Sequence, residues 1–163
     1  MRIASLIATL LLLGLLFVGA HWSGGRHEAA PAVTFQLIDG RRLKIAELLG
    51  RPVLVNFWST GCAQCIGEMP WLTDLYRRLS PSGLEIIGVA MSFDRPDHVL
   101  EVSRREALPY PISLDLTGEL SRAFGGILAT PTSILVDARG MMVLRRVGPL
   151  DRARLEARIE QLL

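Results

Sequence analysis

The chain has 163 residues, half of them hydrophobic, with 18 basic against 16 acidic side chains and a net charge of +2. That length and apolar content suffice for one domain with a full core and argue against a second. The basic residues, all arginine except Lys44, are scattered or sit beside acids, so composition gives no support to a nucleic-acid or anionic-surface partner.

Arg2 precedes an uncharged apolar run from Ile3 to Ala20. As a helix this run would span about 27 Å, close to the hydrocarbon thickness of a bilayer. Residues 1–20 therefore read as a signal anchor or a signal peptide, the small residues Val18, Gly19 and Ala20 offering a cleavage site; the uncleaved anchor is slightly preferred. Arg2 on the short side of the run predicts a domain outside the cytoplasm in either case. Residues 21–32, rich in Gly and Ala, read as a linker in which His21 and His27 are solvated, and the folded domain is expected over 33–163.

Phe35 to Leu43 alternates apolar and polar residues around Asp39-Gly40, the pattern of a β-hairpin. Ala46 to Gly50 reads as a helical turn stopped by glycine. Val53 to Trp58 is a continuous apolar run that predicts a strand buried on both faces. Ser59, Thr60 and Gly61 then turn the chain into a helix opening at Cys62 and running to about Leu79, with Leu72, Leu75, Tyr76 and Leu79 as its core stripe. Pro70 inside that span predicts a kink, or alternatively the start of a second helix.

The placement of the two cysteines is the chemical signal. The first turn of a helix carries unpaired N–H groups and positive dipole charge, which stabilise a thiolate at Cys62. On a helix, residues three apart have Cβ atoms about 5–6 Å apart, and a disulfide needs about 3.5–4.5 Å, so a small adjustment closes Cys62 to Cys65. Three other uses of the pair compete. A purely structural bridge would close one of the shortest loops possible and do little for stability. A zinc site would need ligands that the chain does not offer, since its three histidines have no partner spacing. Two thiolates with Met69 could hold Cu(I). The strand-to-helix position favours redox chemistry, with Cys62 exposed and Cys65 shielded. Glu68 lies one turn beyond Cys65 and is either an ordinary surface carboxylate or a group that exchanges a proton with that thiol.

Leu84 to Met91 reads as a second buried strand, Asp97 to Ala107 as a helix with Arg104 and Arg105 near its end, Tyr110 to Leu114 as a strand and Gly118 to Phe124 as a short helix. Thr130 to Asp137 reads as a strand, turned by Asp137–Gly140 into Met141 to Val147 as a hairpin. Asp151 caps a last helix whose Leu155, Ile159 and Leu162 make one stripe.

Asn56-Phe57-Trp58, the Cys62-x-x-Cys65 pair, Pro70 and Thr130-Pro131-Thr132 resemble the thioredoxin superfamily from about Phe35 to the C-terminus. Glu68, the apolar N-terminus and the added strand and helix after Asp97 are similar to its membrane-anchored TlpA/ResA-like branch. The pattern departs at Gly61, usually Trp or Pro, and at Gln64, often Pro; Asn56 stands where cytoplasmic thioredoxins carry a buried acid.

The resemblance implies an α/β fold: a thioredoxin-like three-layer sandwich with a mixed central sheet, an N-terminal β-hairpin and an extra strand–helix insertion. It implies a cis proline at Pro131 facing the disulfide, Glu68 as a catalytic group with Cys62 and Cys65, and a partner-binding surface at Trp58, Gly61, Thr130 and Pro131. No cofactor or metal is expected. The expected function is reduction of disulfides in selected proteins, for example in cytochrome c or oxidase maturation, at the periplasmic face of the inner membrane, with electrons from a membrane thiol donor. The alternatives are a periplasmic Cu(I) carrier and a peroxiredoxin-like peroxidase. The latter requires Pro and Thr where Val55 and Ser59 stand.

Overall fold

The computed structural model describes residues 28–163. The stretch read as a signal anchor or signal peptide, most of the stretch read as a linker, His21 and His27 lie outside the described residues. Among the described residues no helix is long and apolar enough to cross a membrane.

The strands are β1 (Glu28–Ala29), β2 (Thr34–Leu37), β3 (Arg42–Lys44), β4 (Val53–Trp58), β5 (Glu85–Ala90), β6 (Ile112–Leu114), β7 (Thr132–Val136) and β8 (Met141–Val147). The helices are α1 (Ala63–Leu79), α2 (Pro96–Arg105), α3 (Glu119–Ala123) and α4 (Arg152–Glu160). One eight-stranded sheet runs in the order β1-β8-β7-β4-β5-β6-β2-β3. β4, β5 and β6 are parallel neighbours, and every other pairing is antiparallel. The fold is the mixed-sheet, thioredoxin-like α/β arrangement.

β4 explains the layering. Its alternate side chains enter two cores: Leu54 and Trp58 join Leu72 and Leu75 of α1, Val99 of α2 and Leu155 and Ile159 of α4 on one face. Val53, Val55 and Phe57 join Phe35, Phe124, Ile127 and Ile134 on the other. The period-2 geometry of a strand demands this division, and all six residues of β4 are buried because both faces are covered. Asn56, the one polar side chain in the run, donates to Ser133 Oγ at 2.9 Å across the β4–β7 pairing, which makes its burial tolerable.

α1 is unbroken through Pro70. The expected helical turn before β4 is a 3-10 turn at Ile45–Leu48, closed by Gly50 at φ +94°. Within the stretch read as a linker, Glu28 and Ala29 pair with Met142 and Met141 of β8. Two residues carry no periodicity, so only their partner strand makes this one visible. α3 starts at Gly118, which has no side chain to cap it; the buried Asp115 accepts instead from the N–H groups of Leu120 and Ser121, both at 2.9 Å.

Candidate active site

Cys62 occupies the N-cap of α1, as the sequence pattern places it, and its Sγ accepts from the Cys65 N–H at 3.1 Å. Cys62 and Cys65 form a disulfide, with Cα atoms 5.2 Å apart. The Cys62 N–H donates to the Ser59 carbonyl at 3.1 Å, closing the turn between β4 and the helix. Cys62 is half-buried, while Cys65 is 3 % exposed and packs into the α1 core. Of the two, Cys62 is the one nearer solvent.

Glu68 follows one turn later and is 5 % exposed. Its Oε1 accepts from the Leu150 N–H at 2.8 Å, whereas Oε2 is buried with no partner. Desolvation raises its pKa, against the pull of the Leu150 N–H and the Arg152 guanidinium. Arg152 lies 5.7 Å from the Trp71 ring centroid on the same side of the molecule. Glu68 is thus a buried carboxyl rather than a solvated surface one. The sequence offered no signal for Leu150, because what it contributes is a backbone N–H.

The other residues expected at the site come from three places. Trp58 ends β4 with its ring buried and its Nε1 unpaired among the described residues. Gly61 is exposed, with open space where a Cβ would stand. The Thr130–Pro131 peptide is cis, Thr130 is half-buried and Pro131 buried. β7 runs antiparallel to β4 with Thr132 opposite Phe57, so this peptide reaches the same end of the sheet as the cysteines.

One contact was not expected. Asp94, in the loop after β5, accepts from both the Thr60 N–H at 2.9 Å and the Thr60 Oγ at 2.8 Å. This carboxylate ties the turn that presents Cys62 to a loop of a neighbouring strand. Spacing could not reveal it, since the partners are 34 residues apart.

The alternatives fare differently. Met69, the third sulfur of the copper reading, is 3 % exposed within the core around α1. Where a peroxidase needs its Pro and Thr, Val55 is buried in the opposite core and Ser59 is buried at the turn.

A mixed sheet, covered on both faces at its centre, that delivers a CxxC disulfide to a helix N-terminus defines the class of thioredoxin-like proteins. The chain belongs to the AhpC/TSA family, whose model matches residues 27–145. It is 34 % identical over 134 residues to the thiol-disulfide oxidoreductase ResA of Halalkalibacterium halodurans, covering 79 % of this chain and 73 % of that protein. With ResA of Bacillus anthracis it shares 29 % identity over 136 residues, 83 % of this chain and 77 % of the relative. Among solved structures, a thioredoxin-family thiol:disulfide interchange protein of Chlorobium tepidum superposes with a TM-score of 0.77 at 28 % identity, covering 86 % of this chain and 99 % of that one. StoA of Bacillus subtilis gives 0.68 at 26 % identity, with coverage of 80 % and 98 %. The protein is a thiol–disulfide oxidoreductase.

Proposed function

We propose that this protein works outside the cytoplasm as a reductant of selected protein disulfides. The observation that carries the reading is the asymmetric pair, a half-buried Cys62 at a helix N-terminus joined to a buried Cys65, with buried Glu68 one turn on. In the dithiol form, the Cys62 thiolate attacks one sulfur of a partner disulfide, and the partner's other sulfur leaves as a thiolate. Glu68 in its carboxylate form takes the Cys65 proton. Cys65 then attacks the Cys62 sulfur, which breaks the mixed disulfide and releases the partner's second thiolate. Two electrons pass to the partner, and the protein is left in the disulfide state described above.

Trp58, Gly61, Thr130 and Pro131 form the surface that receives the partner. The exposed, side-chain-free Gly61 lets a partner approach Cys62 closely, and the Pro131 ring brings no N–H to the sulfurs. The partners belong to the disulfide-bearing proteins of cytochrome c or oxidase maturation. A membrane thiol oxidoreductase restores the dithiol, and residues 3–20 hold the domain at the periplasmic face of the inner membrane. The resemblance in sequence to ResA and the apolar run from Ile3 to Ala20 support this part of the reading.

Equilibration of the Cys62–Cys65 pair with a glutathione buffer tests the direction of electron flow. A reductant is expected to sit mostly as the disulfide at a redox poise where glutathione itself is mostly thiol. A pair found mostly as dithiol there would make the protein an oxidant.

A further inference from the structure

Glu68 and Trp71 follow one another by a turn of α1, so their side chains are neighbours on one face of the helix. The segment between β8 and α4 meets both. Its Leu150 N–H donates to Glu68 Oε1 at 2.8 Å, and two residues later the Arg152 guanidinium lies 5.7 Å from the Trp71 ring centroid. That separation is within the cation–π range of about 6 Å. Trp71 is half-buried and packs against the core around α1, so its ring is a fixed platform for a side chain that would otherwise move freely in water. Arg152 gains nothing from its own helix. It is the first residue of α4, where the dipole is positive and disfavours a cation, so the groups opposite account for its place. The other charges of the elements that meet here are committed elsewhere. Asp74 and Glu156 pair with Arg78, Asp151 caps α4, and Arg146 donates to the Pro149 carbonyl. Arg77 and Arg154 are exposed, and neither is among the groups that act on Glu68.

We propose that Arg152, held on the Trp71 ring, is a positioning residue that supplies the counter-charge for the buried Glu68 carboxylate. Its consequence for catalysis rests on the proton step at Glu68 described above. Glu68 gives one oxygen to the Leu150 N–H and has the other buried without a partner, so its ionised form carries a charge that no ion pair among the described residues offsets. A guanidinium on the neighbouring ring acts on that charge through the protein rather than through water, and does so without touching it. Burial and Arg152 thus pull the carboxyl in opposite directions. The proton acceptor must be ionised before it can take the proton from the Cys65 sulfur, after which the carboxyl is neutral and the sulfur is a thiolate. Trp71 and Arg152 together keep a larger share of the protein in that ready state.

The test uses the full chain in detergent solution with carbon-13-labelled glutamate. In the oxidised protein, the pH titration of the Glu68 carboxyl signal reads its protonation with no partner present. Arg152→Gln is expected to move the midpoint upward, because losing a positive charge disfavours the carboxylate. Trp71→Leu should move it the same way by less, and Arg152→Lys should keep it near the native position. In the reduced protein, single-turnover reduction of glutathione disulfide should be slower in Arg152→Gln at pH values below the native midpoint. The expected factor is about threefold, the scale of one partly screened charge, and the difference should shrink as pH rises. A Glu68 midpoint unmoved by Arg152→Gln overturns the proposal, as does one moved equally by Arg152→Gln and Arg152→Lys. If the midpoint moves but the pH–rate profile does not follow it, the counter-charge stands and the proton step at Glu68 falls.

Discussion

At the scale of single residues, Glu68 has the most unusual position: a carboxyl with one oxygen bound to the Leu150 N–H and the other sealed without a partner. Burial raises its pKa above the ordinary value of 4.5. Between the two values the folded chain keeps a proton that the unfolded chain releases. The stability associated with Glu68 is therefore complete below the ordinary value and declines as pH rises through the raised one. Urea unfolding of the oxidised protein should show this decline beginning near pH 4.5, and Glu68→Gln should flatten it. In catalysis, the same substitution removes the acceptor proposed for the Cys65 proton. Single-turnover disulfide reduction should slow by roughly 10²-fold or more and lose a pH dependence that the native protein shows. A pH–rate profile identical to the native one would leave Glu68 with a structural role alone. For the thiols, the half-buried Cys62 and the buried Cys65 imply that alkylation of the reduced protein labels Cys62 first, as peptide mapping can establish. Faster labelling at Cys65 would reverse their roles.

Among the elements, the short α3 depends on a residue outside itself. Asp115 is buried and meets two N–H groups of the first turn, and Asp115→Ala leaves both without their acceptor. The expected loss is about 2 kcal/mol in chemical denaturation, a large effect for a helix of this length. The turn ahead of α1 is held in a similar way from a distance. Asp94→Ala frees the Thr60 N–H and hydroxyl, which are half-exposed and reach water, so the fold should survive. Opening of the turn should become easier by about 1 kcal/mol, or roughly fivefold in the exchange rate of the Thr60 amide. An amide that exchanges as before would show that the turn stands without Asp94.

For the whole molecule, the controlling fact is that the central strands β4 and β5 are covered on both faces of the sheet. Gly88 of β5 sits where there is no room for a side chain. A Cβ there would stand 2.7 Å from Ile112 Cδ1 and 3.2 Å from Trp58 Nε1. Gly88→Ala must displace Ile112 within a packed core, and a stability loss of about 1–3 kcal/mol is expected from urea unfolding. Because Trp58 immediately precedes the active-site turn, the same packing connects the centre of the sheet to the disulfide. The open end of the sheet is the exception to this coverage, and the apolar groups of Phe93, Leu116 and Leu128 remain in solvent there.

Much of this architecture was legible in the order of residues. The apolar run at 53–58, the 3–4 spacing of Leu72, Leu75 and Tyr76, the Asp39-Gly40 turn and the Asp151 cap each report a local backbone geometry, and local geometry writes a periodic pattern. The two cysteines were legible for the same reason, since their separation of three falls on the turn that joins a strand to a helix. Whether Glu68 is a solvated or a buried carboxyl was decided elsewhere, by a backbone N–H that arrives from Leu150, 82 residues later. The hold of Asp94 on Thr60 and the pairing of Glu28 with Met142 are of the same kind. The state of a polar group depends on which distant segment removes its water and which supplies its partner, and no spacing along the chain records that encounter.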